Sequence, residues 1–160
     1  MMKKLFFLFC LIISNLYGYE NEKISHLLIG GGIDNISKPK FRTGECYLEY
    51  KFSYELHKFR PLLGVMATWK GACYFYGGLD VNMIFYHHFL LLPGFAIGIY
   101  HQGNGRDLGY PLEFRSSIAL GWQFNNFSRI GVMYYHISNA HLSEYNPGME
   151  SLVFFYGFAF

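Results

Sequence analysis

The chain ends on FFYGFAF, residues 154–160, and this stretch decides the fold. Phe154, Tyr156, Phe158 and Phe160 fall on every second position, so an extended backbone puts all four on one face. As the edge of a soluble sheet such a strand would be a template for aggregation. Paired on both sides in a closed sheet, with its aromatics against hydrocarbon, it carries no such hazard. Whether the chain closes therefore depends on what precedes these residues.

Period-2 alternation recurs through the sequence, with turn-rich breaks between, at roughly 25–33, 43–55, 60–69, 72–85, 88–100, 113–124, 128–138 and 150–160. In the second run Cys46, Leu48, Tyr50, Phe52 and Tyr54 oppose Tyr47, Glu49, Lys51 and Ser53. In the fourth, Phe75, Leu79, Val81, Met83 and Phe85 oppose Tyr74, Tyr76, Asp80 and Asn82. In the sixth, Phe114, Ile118, Leu120, Trp122 and Phe124 oppose Glu113, Arg115, Ser117, Ala119 and Gln123. One apolar and one polar or small face per strand is the pattern of a transmembrane β-barrel, with lipid outside and a polar interior. A soluble lipocalin-like barrel would turn the aliphatics inward and leave a surface far too greasy. Strands of about ten residues also suit a tilted bilayer crossing. The expected fold is all-β, an eight-stranded antiparallel transmembrane barrel of the outer-membrane type, and its even strand count removes the edge.

Composition agrees with export to a membrane. Aromatic residues make up 21% of the chain and charged residues only 15%. Lys3 and Lys4 precede the apolar run LFFLFCLII, which is too short to span a bilayer, and SNLYG follows as a cleavage region. Residues 1–18 thus read as a signal peptide, and 19–160 as a single barrel domain of about 140 residues. Cys10 follows Phe9, which argues against a lipidation signal, and no later stretch approaches the apolar length of a spanning helix. Cys46 and Cys73 are the only other thiols, so a disulfide framework is not expected. The net charge of +2 is uninformative, and no nucleic-acid partner is expected.

Parity sets the topology. An even number of strands places both termini on the periplasmic side, with short turns there and longer loops outside. NNFS is a short turn between the sixth and seventh strands, whereas 101–112 and 139–149 are longer breaks. The break near Lys70 is short although it faces outward.

Between the last two strands lies YYHISNAHLSEYNPGMESL, residues 134–152. Ile130, Val132 and Tyr134 form the lipid-facing series of the seventh strand, and the same series continues to His136 and Ser138. On the eighth, Leu152, Phe154, Tyr156 and Phe158 face lipid, and one step back is Glu150. A hydroxyl, an imidazole and a carboxylate on neighbouring antiparallel strands are the parts of an activated nucleophile. Polar groups on that wall are costly, less so at the rim. Glu144 competes for the acid role and His141 for the base, since both lie in a loop where facing cannot be read. His87 and His88 fall at a periplasmic turn as surface decoration.

HISNA, followed by NPGMES and a terminal aromatic strand, resembles the lipid A 3-O-deacylase (PagL) family, and DLGYPLEFRSSIALGWQF (107–124) resembles that family's sixth-strand region. The similarity is clearest from about residue 94 onward. The resemblance implies Ser138 as nucleophile, His136 as general base and Glu150 as the acid that orients it. It implies Asn139 and Asn146 in or beside an oxyanion hole, and Gly148 as the turn that brings Glu150 into register. The implied reaction is hydrolysis of the 3-hydroxyacyl ester at the 3-position of lipid A, with acyl chains against Ile130, Val132, Tyr134, Leu152 and Phe154. No metal or cofactor is expected. The expected substrate is lipopolysaccharide in the outer membrane, and the terminal strand ending on Phe160 resembles the signal read by the outer-membrane assembly machinery. The rival readings are a non-catalytic structural or surface-interaction barrel, and a phospholipase.

Overall fold

The computed structural model describes residues 23–160. The segment read as a signal peptide lies outside the described residues. The strands are β1 (His26–Asp34), β2 (Thr43–Lys51), β3 (Phe59–Thr68), β4 (Cys73–Val81), β5 (Met83–Phe85), β6 (Phe89–His101), β7 (Leu112–Gln123), β8 (Arg129–Ser138) and β9 (Met149–Ala159). Each neighbour pair is antiparallel. The order runs β1, β2, β3, β4, β6, β7, β8, β9 and back to β1, so the sheet closes. The three-residue β5 continues the line of β4 and pairs with the start of β6. The result is an eight-stranded antiparallel barrel.

Two boundaries differ from the sequence reading. The run expected at 72–85 is cut after Val81. In the register that pairs Asp80 with Gly94, Val81 stands opposite Pro93, which has no N–H to give the ladder. The run expected at 43–55 ends at Lys51, and the chain then turns toward β3 through an isolated Leu56–Phe59 bridge. The terminal strand is held from both sides, by β8 and β1, and Ser25 and Phe160 exchange backbone hydrogen bonds of 3.0 and 3.1 Å. The hazardous edge is gone.

The alternation sorts the faces. Phe75, Phe95, Leu120 and Phe154 are exposed on the outer wall, whereas Leu28, Met66, Met133, Val153 and Phe155 fill the interior. The interior also holds buried charge. Arg115 donates from Nη1 to Glu49 Oε2 at 3.0 Å and lies over the rings of Tyr76 and Tyr135, 4.6 Å from each centroid. Tyr76 donates to the same Glu49 oxygen at 2.9 Å, and Lys51 reaches Glu49 Oε1 at 3.1 Å. Lys51 also pairs with Asp80, which Arg60 grips from Nε at 3.1 Å. Tyr135 and Ser151 donate to Glu45 at 2.7 and 3.1 Å. Glu49 and Asp80, each fully enclosed, are thus met by cations, which is the condition under which buried charge is tolerable. The barrel is a packed plug.

Removing one partner from this plug leaves the others buried and unmatched. Arg115→Ala should lower stability by about 3–5 kcal/mol, read as a fall in the denaturant midpoint of the detergent-folded barrel. A midpoint unchanged from the parent would show that the Glu49–Arg115 pair contributes nothing net.

Candidate active site

His136 and Glu150 are direct cross-strand partners in the β8–β9 register, and His136 Nδ1 lies 3.5 Å from Glu150 Oε1. Both project from the outer wall at the end of the barrel that carries the longer loops. Ser138, last residue of β8, stands two positions beyond His136 on the same face. That spacing separates the two Cα atoms by about 7 Å, and no hydrogen bond joins the hydroxyl to the imidazole among the described residues. Catalytic hydrogen bonds of this kind commonly tighten only when substrate is seated.

Gly148 fixes the imidazole. A β-carbon there would lie 2.7 Å from His136 Cε1 and 3.2 Å from Nε2, so the ring edge carrying Nε2 rests in the space a side chain would fill. The residue also has φ +58°, a left-handed conformation that favours glycine. Glycine is therefore needed twice, once for the turn out of Pro147 and once for the ring. With Nδ1 turned to Glu150, Nε2 is left for proton transfer.

The other carboxylate oxygen is also held. Ser37, in the loop between β1 and β2, donates to Glu150 Oε2, and the Ile36 N–H donates to the Glu150 carbonyl at 3.0 Å. Sequence reasoning missed Ser37, because a loop has no periodicity from which facing can be read. It also missed Arg106, a buried cation in the loop between β6 and β7. Arg106 donates to Asn35 Oδ1 at 3.2 Å and to the Pro147 carbonyl at 3.4 Å, and it covers the Phe41 ring at 5.3 Å. One guanidinium thus ties the loop bearing Ser37 to the loop bearing Gly148.

The two asparagines take different positions. Asn139 is fully buried, and its Nδ2 donates to the carbonyls of Leu108 and Tyr145 at 2.9 and 3.0 Å. Its side-chain donors are therefore committed to loop anchoring. Asn146 accepts from the Asn139 N–H at 3.1 Å through Oδ1, which orients its amide. Its Nδ2 donates to no group among the described residues.

Glu144 and His141 are exposed in the 139–148 loop and form no ion pair with the site. His88 lies at the opposite end of the barrel, stacked 4.7 Å from Trp122 and bonded to the Gln123 carbonyl at 2.9 Å. Cys46 and Cys73 are free thiols. Ile130, Tyr134, Leu152 and Phe154 are exposed on the outer wall below His136 and Glu150, with Val132 partly covered between them. In register Tyr134 faces Leu152 and Val132 faces Phe154, which makes one continuous apolar strip across β8 and β9.

Comparison with known proteins gives a consistent picture. The family model described as lipid A 3-O-deacylase (PagL) matches residues 44–159. No curated protein matches the sequence. Among solved structures the chain is similar to the outer-membrane enzyme PagL, with a TM-score of 0.67 and 19% identity over 82% of this chain and 97% of that one.

The contact between Gly148 and the imidazole yields a direct test. Gly148→Ala should still form a heat-modifiable barrel but lose labelling of Ser138 by a fluorophosphonate that reports activated serines. Labelling at the parental rate would show that the ring does not depend on that space.

Proposed function

Because the chain belongs to the lipid A 3-O-deacylase (PagL) family, we propose that Ser138, His136 and Glu150 hydrolyse the 3-hydroxyacyl ester at the 3-position of lipid A. Family membership makes the protein a lipid A deacylase, an ester hydrolase, and the barrel fits an outer-membrane site. The observation that carries the finer reading is the His136–Glu150 contact on the outer wall beside Ser138.

In this mechanism His136 Nε2 takes the Ser138 proton as Oγ attacks the ester carbonyl, and Glu150 holds the imidazole and supports its positive charge. The tetrahedral oxyanion is met by the Asn146 amide, the donor left unused, while Asn139 supports the loop. Collapse breaks the bond to the sugar oxygen, which leaves as an alcohol with the proton from His136. Water, activated by the same base, then hydrolyses the acyl-enzyme and releases the hydroxy fatty acid. Lipopolysaccharide occupies the outer leaflet, so a wall site near the loop-bearing rim reaches the ester without extracting the lipid. Acyl chains would rest on the strip formed by Ile130, Val132, Tyr134, Leu152 and Phe154. Residues 1–18 would be the export signal, removed before folding.

Mass spectrometry of lipid A from cells with and without the protein should show loss of one hydroxyacyl mass. Ser138→Ala should abolish that loss, with a rate drop of about 10⁴-fold or more, and leave the barrel folded. Asn146→Ala should cost about 10²–10³ in kcat. Ser37→Ala removes one hydrogen bond to Glu150 and should cost about ten- to a hundredfold, since bonds to charged groups are worth about 1.5–3 kcal/mol. Deacylation that survives Ser138→Ala would move the nucleophile elsewhere. An unaltered lipid A with altered phospholipid would favour a phospholipase, and no lipid change at all would favour a structural barrel.

A further inference from the structure

A polar cleft of about 420 Å³ opens at the loop-bearing rim, between the end of β6 and the loop that leads back to β7. His101 and Gln102 line one side, Asp107 and Tyr110 the other, and all four are exposed. The loop that forms it is fastened on every flank. Toward β3 and β4, the Asn104 N–H donates to the Lys70 carbonyl at 2.9 Å. From the barrel interior, the Tyr100 hydroxyl donates to the Arg106 carbonyl at 2.9 Å. Toward Ser138, Asn139 Nδ2 donates to the Leu108 carbonyl at 2.9 Å. A β-carbon at Gly109 would lie 1.9 Å from the Tyr145 carbonyl oxygen, so the two loops meet through backbone alone. Gly109 also has φ +89°, a left-handed conformation that favours glycine. Held at these points, the cleft is formed in advance of any occupant, as small-molecule sites usually are.

Its polar groups point to the chemistry of that occupant. Asp107 Oδ1 accepts from the Gly109 N–H at 2.8 Å, which leaves Oδ2 without a partner among the described residues. The His101 imidazole and the Tyr110 hydroxyl are likewise unbonded among the described residues. The lining contains no lysine or arginine, and Arg106 is turned inward to Asn35 and the Pro147 carbonyl. A phosphate would meet the Asp107 carboxylate with no cation to offset the repulsion. A sugar suits the lining. Its hydroxyls can donate to Asp107 and pair with His101, Gln102 and the phenol, while its C–H face rests on the half-exposed Tyr110 ring.

The placement agrees with the proposed reaction. Ser138 stands opposite Phe114 of β7, and Phe114 opposite Ile97 of β6. His101 is four residues beyond Ile97, about 13 Å further toward the loops and two strands across. That is farther than one sugar ring extends from an ester held at Ser138. We infer that the cleft binds a neutral sugar of the saccharide that continues outward from lipid A. The inference rests on the lipid A deacylase reading and gives that site a hold on the polar end of its substrate.

Two measurements separate the cleft from the reading beneath it. First, the Ser138→Ala barrel in detergent is titrated with lipopolysaccharide saccharide stripped of acyl chains and phosphates, and binding is followed by ligand-observed NMR. The saccharide should bind saturably. Asp107→Asn keeps an oxygen for the Gly109 N–H but replaces the free acceptor, and should weaken binding about tenfold or more. Tyr110→Ala should weaken it several-fold, and Tyr110→Phe should restore most of the loss. Absence of binding, binding unchanged in both variants, or displacement of the saccharide by inorganic phosphate would overturn the assignment. Second, the parent barrel is assayed on intact lipopolysaccharide and on free lipid A. KM should be lower for the intact molecule. Asp107→Asn should raise that KM toward the free lipid A value with kcat unchanged, and leave turnover of free lipid A as it was. Equal KM values for the two substrates in the parent would also sink the cleft. Failure of the parent to deacylate either substrate would count against the underlying reading, while the saccharide titration, which needs no turnover, would still decide the cleft.

Discussion

The constraint on which the structure depends is closure of the sheet. Once β4 pairs with β6 and β9 pairs with β1, every residue is assigned to hydrocarbon or to the interior by parity alone. That assignment drives the two chemistries of the barrel in opposite directions. Inside, Glu49, Asp80, Lys51 and Arg115 can be charged because they meet one another at short range. Outside, a polar group has no such surroundings and survives only near the rim or beside a partner. His136, Ser138 and Glu150 meet those terms together, on two adjacent strands.

Register turns that placement into geometry. His136 and Glu150 are brought together by the β8–β9 ladder and not by a flexible loop, so their contact is as rigid as the barrel. The loops then refine it. Ser37 comes from one loop, Gly148 from another, and Arg106 from a third binds both of the others. The two-residue step between Ser138 and His136 keeps them on one face but apart. In the proposed mechanism, a rigid base–acid pair with a more loosely placed nucleophile would suit a site that admits a bulky lipid from the side.

Much of this was readable before any coordinates. The alternating runs placed each strand because a half-buried strand repeats every two residues, and the outward series through Ile130, Val132 and Tyr134 reaches His136 by simple continuation. The break at Asn82 was not readable, because the apolar alternation runs through it. The cause lies on the partner strand, at Pro93. Ser37 and Arg106 were hidden for a different reason: their partners are set by how three loops fold over the rim, and no local period encodes that.

The tilt that closure imposes has one more consequence. In a barrel the strands lean, so a row of paired residues cannot stay level with the membrane plane. Here the row through His136 starts near the loops and falls toward the middle of the wall as it passes from β9 to β4. A lipid has the same layout, with its ester bonds near the surface and its chains below. In the proposed reaction, an ester at His136 would meet the wall where this slope begins, with its chain running down along the tilt of the strands.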